Sequence, residues 1–198
     1  MLEKVNQNLL MLKIISQINL MVAIVIISIV TIKPIAANNL HYDQFSKDQK
    51  IFVDTINKYR NEFDPASNDL KKNKLLRNRN EDLCGPSFDA SFVFEWIGKI
   101  KDISTNLDGK GILAVEIDKN IRIETWNNAF SDIFNNTLIE IDTSVYDQLI
   151  DLKINQVILF DGNFFPNDEC IESQNLLTNS KIMKPSYTFK FSNLEPFN

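Results

Sequence analysis

Histidine is nearly missing from these 198 residues, which hold one, His41, beside two cysteines, five glycines and six prolines. A zinc site needs several Cys or His ligands at close spacing, and Cys84 and Cys170 stand far apart in the chain. Nucleophilic catalysis needs a nucleophile, a base and an orienting group. His41 lies in the segment just behind an apolar leader, where an ordinary surface role is expected. No Gly-x-Ser-x-Gly elbow and no Gly-rich phosphate loop occurs. Asp161, Asn163, Asp168 and Glu169 do not follow the EF-hand spacing, and no carboxylate pair stands out for glycoside hydrolysis. The scarcity of Gly, Pro and Cys excludes collagen-like, low-complexity and disulfide-dense chains. The expectation is a protein without metal, cofactor or enzymatic activity.

What is present begins with an apolar run. Leu20 to Ile32, LMVAIVIISIVTI, carries no charge, with Lys4 and Lys13 before it and Lys33-Pro34 after it. A basic leader, an apolar stretch and a tail ending Ile35-Ala36-Ala37 have the three parts of a secretory signal, placing cleavage after Ala37. Extended back to Ile14, the run approaches the length needed to span a bilayer, and then reads as an uncleaved inner-membrane anchor. Met11 offers a second start with a leader of more usual length. Both readings put the rest of the chain outside the cytoplasm, periplasmic or secreted, because Lys4 and Lys13 favour the inner side. In either case the membrane is met only through this segment. An exported chain can keep a disulfide, so Cys84 and Cys170 are expected to be bonded.

The organisation that follows divides into a leader at 1–37, a helical segment at 38–85 and a β-rich part at 86–198. Tyr42, Phe45, Phe52, Ile56, Tyr59 and Phe63 recur at helical steps, predicting a helix over 41–63 that stops at Asp64-Pro65. Residues 67–83 predict a second helix with a thin line of Leu70, Leu76 and Leu83. It also carries Lys71, Lys72, Lys74, Arg77 and Arg79 with no acid between Leu70 and Asn80, either a solvated face or a patch for phosphate, anionic lipid or an acidic partner. From Ser91 onward the period changes to two. Strands are predicted near 93–100, 112–117, 121–126, 138–141, 156–165 and 187–192, with a short helix over Ser144–Leu152. Gly98 inside the first strand suits the bend of a barrel. Three strands, a helix and two more strands is the order of an OB-fold, so the fold class is α+β, a helical pair followed by a five-stranded barrel.

Trp96-Ile97-Gly98-Lys99, Gly109-Lys110-Gly111, Thr125-Trp126-Asn127-Asn128 with Thr137-Leu138-Ile139, and Phe160-Asp161-Gly162-Asn163-Phe164 together resemble a group of exported bacterial OB-fold proteins. In that group two helices precede the barrel. This chain departs at Asn155, where the resemblance implies glycine, and at Asp161, where it implies a small polar residue. The resemblance implies fold and location and no activity.

The whole chain has 21 Lys and Arg against 26 Asp and Glu, net −5, which argues against a generic nucleic-acid coat. Without residues 1–37 the count is 18 against 25, net −7. The part from 86 to 198 has 9 against 17, net −8, and an OB-fold that grips single strands uses a positive groove with stacking aromatics. On the third strand Arg122, Glu124 and Trp126 share one side, the face OB-folds commonly use for ligands. Trp126 is either a stacking platform or a cap on the barrel end. The function expected is a non-catalytic exported module that binds a protein or small ligand. The alternative is a nucleic-acid-binding protein that uses the basic helix and Trp126.

Overall fold

The computed structural model describes residues 40–86 and 88–197. The leader, with its signal and anchor readings, lies outside the described residues. Asn38–Asn198 form one compact unit. Its elements are α1 (Lys47–Asn61), α2 (Asp69–Leu83), β1 (Val93–Thr105), β2 (Gly111–Asp118), β3 (Ile121–Glu124), α3 (Ser144–Ile150), β4 (Val157–Phe164), α4 (Thr178–Met183) and β5 (Ser186–Pro196). A two-stranded ribbon, Pro166–Asn167 with Cys170–Ile171, precedes α4.

Local chemistry sets the helix limits. Ser46 accepts from the Gln49 amide at 3.2 Å and starts α1, so Tyr42–Gln44 form a separate 3-10 turn instead of its first residues. Asn68 does the same for α2, accepting from the Lys71 amide at 3.0 Å. Phe52, Val53, Ile56 and Tyr59 form the buried face of α1. Leu76 and Leu83 are buried in α2, whereas Leu70 is exposed.

The five strands close into a barrel in the order β1-β2-β3-β5-β4. β3 and β5 run parallel and the other pairs antiparallel. This is an OB-like arrangement, mixed α and β, with two helices before the barrel. The long β1 pairs with β4 through residues 93–99 and with β2 through 99–105. Gly98 sits where it passes from one partner to the other. A Cβ there would stand 2.3 Å from Val115 Cγ1, so the walls approach as only glycine allows. The barrel core holds Trp96, Ile100, Leu113, Val115, Ile117, Ile123, Phe160, Phe164 and Phe189.

Helices close both ends. α1 crosses the end where β2 turns into β3, setting Phe52 against Phe88, Trp96, Phe164 and Tyr187 at centroid distances of 5.2, 5.3, 5.2 and 5.4 Å. The Gln49 carboxamide is fully buried and takes the place of a strand neighbour. Its Nε2 donates to Ile97 O at 2.6 Å and its Oε1 accepts from Ile97 N at 2.9 Å. At the other end Leu149 of α3 and Ile139 both pack on Gly111.

Three expectations need correction. Simple alternation along β1 fails, because the register shifts between Val93 and Trp96, with Glu95 at φ 52°. The Asp161 carboxylate holds that bulge by accepting from the Glu95 amide at 2.8 Å, so Phe94 turns outward while Trp96 and Ile97 are both buried. The segment 138–141 is not a strand; only an isolated bridge joins Ile139 to Gly111. The third strand ends at Glu124, short of Trp126, because the chain leaves β5 to form a loop there. Asn155 adopts φ 69°, the backbone conformation for which glycine was expected, and Asn is the side chain that tolerates it best after glycine.

Candidate functional site

The outer face of β3 is largely tied up by its own loops. Arg122 is exposed, and its guanidinium has no partner among the described residues. Glu124 is half-buried and accepts a short hydrogen bond from the Ser186 hydroxyl across the β3–β5 pair. Trp126 is half-buried. Its amide donates to Thr137 Oγ1 at 2.7 Å and its indole Nε1 to Asn135 Oδ1 at 3.3 Å. The Gln174 carboxamide donates to the carbonyls of Glu124 and Thr125 at 3.3 and 3.1 Å. Asn135 in turn donates to Glu172 at 2.7 Å. Arg122, Glu124 and Trp126 therefore follow one another along β3 and its exit, but only Arg122 is free to meet a ligand without breaking an internal bond.

The basic run divides in the same way. Lys71, Lys74 and Arg77 are exposed, and the Lys72 ammonium lies 6.0 Å from the Phe63 ring centroid. Arg79 does not belong to that surface: it is 2% exposed. The reason is spacing, since Leu76, Arg79 and Leu83 follow one another at three- and four-residue steps and share the buried face of α2. Its guanidinium donates to Lys181 O at 2.5 Å and to Asn80 Oδ1, and lies 6.0 Å from the Tyr187 ring centroid. Burial pushes the Tyr187 phenol up, and the charges of Arg79 and Arg60 offset part of that rise.

A roomy concavity lies elsewhere, between α2 and the ribbon, with a volume of about 870 Å³. Asn73, Arg77, Asn80 and Glu81 line it from α2, and Asn167, Asp168 and Glu169 from the ribbon. Cys84 and Cys170 also line it. They are disulfide-bonded, with Cα atoms 5.7 Å apart, so the expected bridge clamps the two walls together. Cys170 holds φ 103°, a conformation rare for a residue with a side chain. Glu169 reaches Lys181 of α4 at 2.7 Å, fixing the ribbon from its far side. The α1–α2 seam is set by Asp82, which accepts from Lys58 Nζ at 2.9 Å and Tyr59 Oη at 2.7 Å. Those two donors, Lys58 first, hold the Asp82 carboxyl below the usual carboxylate range.

Amides, one exposed guanidinium and three carboxylates give this groove donors and acceptors in a mixed array, suited to holding a polar ligand in place. Sequence reading reached Arg77 and the cysteines but not Asn73, Asn80 or Asn167, because neither wall carries a motif. The one signal linking the two walls was the cysteine pair itself. Among the described residues no three His, Cys, Asp or Glu side chains gather as a metal site would require. His41 is exposed. No protein-family model, curated protein or solved structure matches the chain.

Proposed function

We propose that this protein is a non-catalytic OB-like binding module that works outside the cytoplasm and takes a polar small ligand or a short extended peptide in the groove between α2 and the ribbon. The observation that carries this reading is the 870 Å³ groove whose walls are joined by the Cys84–Cys170 bond. A disulfide is compatible with an extracellular or periplasmic location, and a wall that cannot drift preserves the spacing of its hydrogen-bonding groups. Arg77 on one side and Asp168 on the other give the groove opposite charges on facing walls, which favours ligands carrying both signs, as a peptide or amino-acid derivative does.

The test is a thermal-shift screen of the purified protein against pools of dipeptides, tripeptides and amino-acid derivatives. A stabilising pool should lose its effect with Arg77→Glu, a change at an exposed position that leaves the fold intact. Single-stranded oligonucleotides serve as the opposing probe. Micromolar binding that weakens steeply with salt and disappears when Lys71, Lys74 and Arg77 are neutralised would overturn the reading in favour of nucleic acid.

A further inference from the structure

The loop between β3 and α3 contains an amphipathic turn built inside out. Asn128 accepts from the Ser131 amide through its side chain at 2.9 Å and from the Asp132 amide through its carbonyl at 3.2 Å. The Asn136 amide then donates to Asp132 O at 3.0 Å, and Asn136 ends the turn at φ 49°. Residues 128–136 thus make two successive helical turns. Phe130, Ile133 and Phe134, at positions i, i+3 and i+4, fall on one side of them. That side faces water, with exposures of 85%, 58% and 91%. The opposite side is polar and points inward. The buried Asp132 carboxylate accepts from the Thr137 amide and hydroxyl, both at 2.6 Å, and from the Leu138 amide at 3.0 Å. Asp132 is the only ionisable residue between Thr125 and Ile139, so along the chain the apolar side is flanked by the amides Asn127, Asn128, Asn135 and Asn136, and the half-buried Glu172 carboxylate is taken up by Asn135 at 2.7 Å.

We propose that this turn is a lipid-contacting element, with Phe130, Ile133 and Phe134 entering the interfacial layer of an electrically neutral bilayer surface. Three large apolar side chains on a braced convex turn make a wedge that gains contact by entering an acyl boundary, as the apolar face of an interfacial helix does. A rim made mainly of amides suffers less desolvation at headgroup depth than a rim of carboxylates or ammoniums would. The rest of the chain supplies proximity. Seven residues separate the uncharged stretch Leu20–Ile32 from Leu40, at most about 25 Å of extended chain, so where that stretch stays uncleaved as an anchor the chain from Leu40 on is tethered near a bilayer. The net charge of −8 over residues 86–198 disfavours anionic lipid and selects a zwitterionic surface such as phosphatidylcholine.

The test uses the full chain carrying Phe134→Trp, an exposed position, on phosphatidylcholine vesicles with plain or brominated acyl chains. Trp96 is buried in the core and Trp126 half-buried at the foot of the turn, so the wild-type protein provides the background emission. The new tryptophan should emit at shorter wavelength on vesicles and lose emission to brominated chains, with little change when salt is raised. Adding Phe130→Ser should restore the emission and leave the far-UV circular dichroism unchanged. This readout follows the turn itself, whether or not the leader holds the chain on the vesicle. Unquenched emission from vesicle-bound protein overturns the proposal, as does a chain that stays off the vesicles. Quenching confined to anionic vesicles and abolished by salt also overturns it, pointing to the basic run on α2. Concentration-dependent self-association in sedimentation that Phe130→Ser abolishes would assign the turn to a second copy instead.

Discussion

Replacing Gln49 by leucine isolates the contribution of one carboxamide. Both of its functional ends bind the main chain of Ile97, at 2.6 and 2.9 Å, where β1 has no strand neighbour on that side because β2 pairs only from Lys99 onward. Leucine fills nearly the same volume but leaves an N–H and a C=O buried without partners. Each stranded group costs about 2 kcal/mol, and the added apolar burial returns about 1 kcal/mol. The net loss is then about 3 kcal/mol. For a domain of this size that lowers the melting temperature by roughly 6–12 °C. With an m-value of about 2 kcal/mol/M, the urea midpoint falls by about 1.5 M at unchanged slope. Chemical denaturation followed by far-UV circular dichroism, with the disulfide intact, measures this. Gln49→Glu separates donor from acceptor, because an ionised carboxylate still accepts from Ile97 N but turns a lone pair toward Ile97 O. It should be the less stable variant at neutral pH and recover as the pH falls and the carboxyl regains a proton. A Gln49→Leu midpoint within about 0.3 M of wild type would refute the view that this side chain substitutes for a strand.

Breaking the disulfide with Cys84→Ser removes the constraint on a loop closed over 86 residues and should cost about 4 kcal/mol in urea denaturation; intact protein should also weigh two mass units less than its reduced form. Gly162→Ala would place a Cβ 2.1 Å from Lys190 O and 2.4 Å from the Phe189 ring, forcing the β4–β5 seam apart, so a loss of about 3 kcal/mol or more is expected; a variant as stable as wild type would show that the seam yields freely. The lowered Asp82 carboxyl gives a pH dependence of known sign: its contribution is fully present above the ordinary carboxylate value of about 4 and is lost as the pH falls through the lower folded value. Acid unfolding of Asp82→Asn should therefore match that of wild type at the lowest pH and diverge above it, and parallel curves throughout would exclude this source.

Period carried most of the fold. The stripe from Phe52 to Tyr59 and the alternation of Tyr187, Phe189 and Phe191 state burial directly, and the order of strands around α3 then points to the barrel. Where prediction failed, a side chain overrode the pattern. Asp161 bonds the Glu95 amide and inserts a bulge, which no count of alternate apolar residues reveals. Arg79 reads as one more charge in a basic run, and only the neighbouring Leu76 and Leu83 betray its inward face. The groove was less legible still. Its walls come from segments about 86 positions apart, joined by a covalent bond that sequence names without saying what it encloses. The turn at 128–136 was not legible because three asparagines, a serine and an aspartate interrupt its apolar residues, although Phe130, Ile133 and Phe134 have helical spacing.

The position of β5 in the sheet has a consequence for the order in which the chain is made. Ser186–Pro196 pairs with β3 on one side and with β4 on the other, so neither neighbour has a complete set of partners until this segment emerges from the ribosome. A nascent chain that ends before Ser186 presents two unpaired strand edges and lacks the buried Tyr187, Phe189, Phe191 and Leu194. Loss of the chain from Ser186 onward would turn a sealed cylinder into an open, sticky sheet. Stalled synthesis or clipping near Lys184 should therefore yield aggregates and proteolysis products in place of a shortened but functional domain.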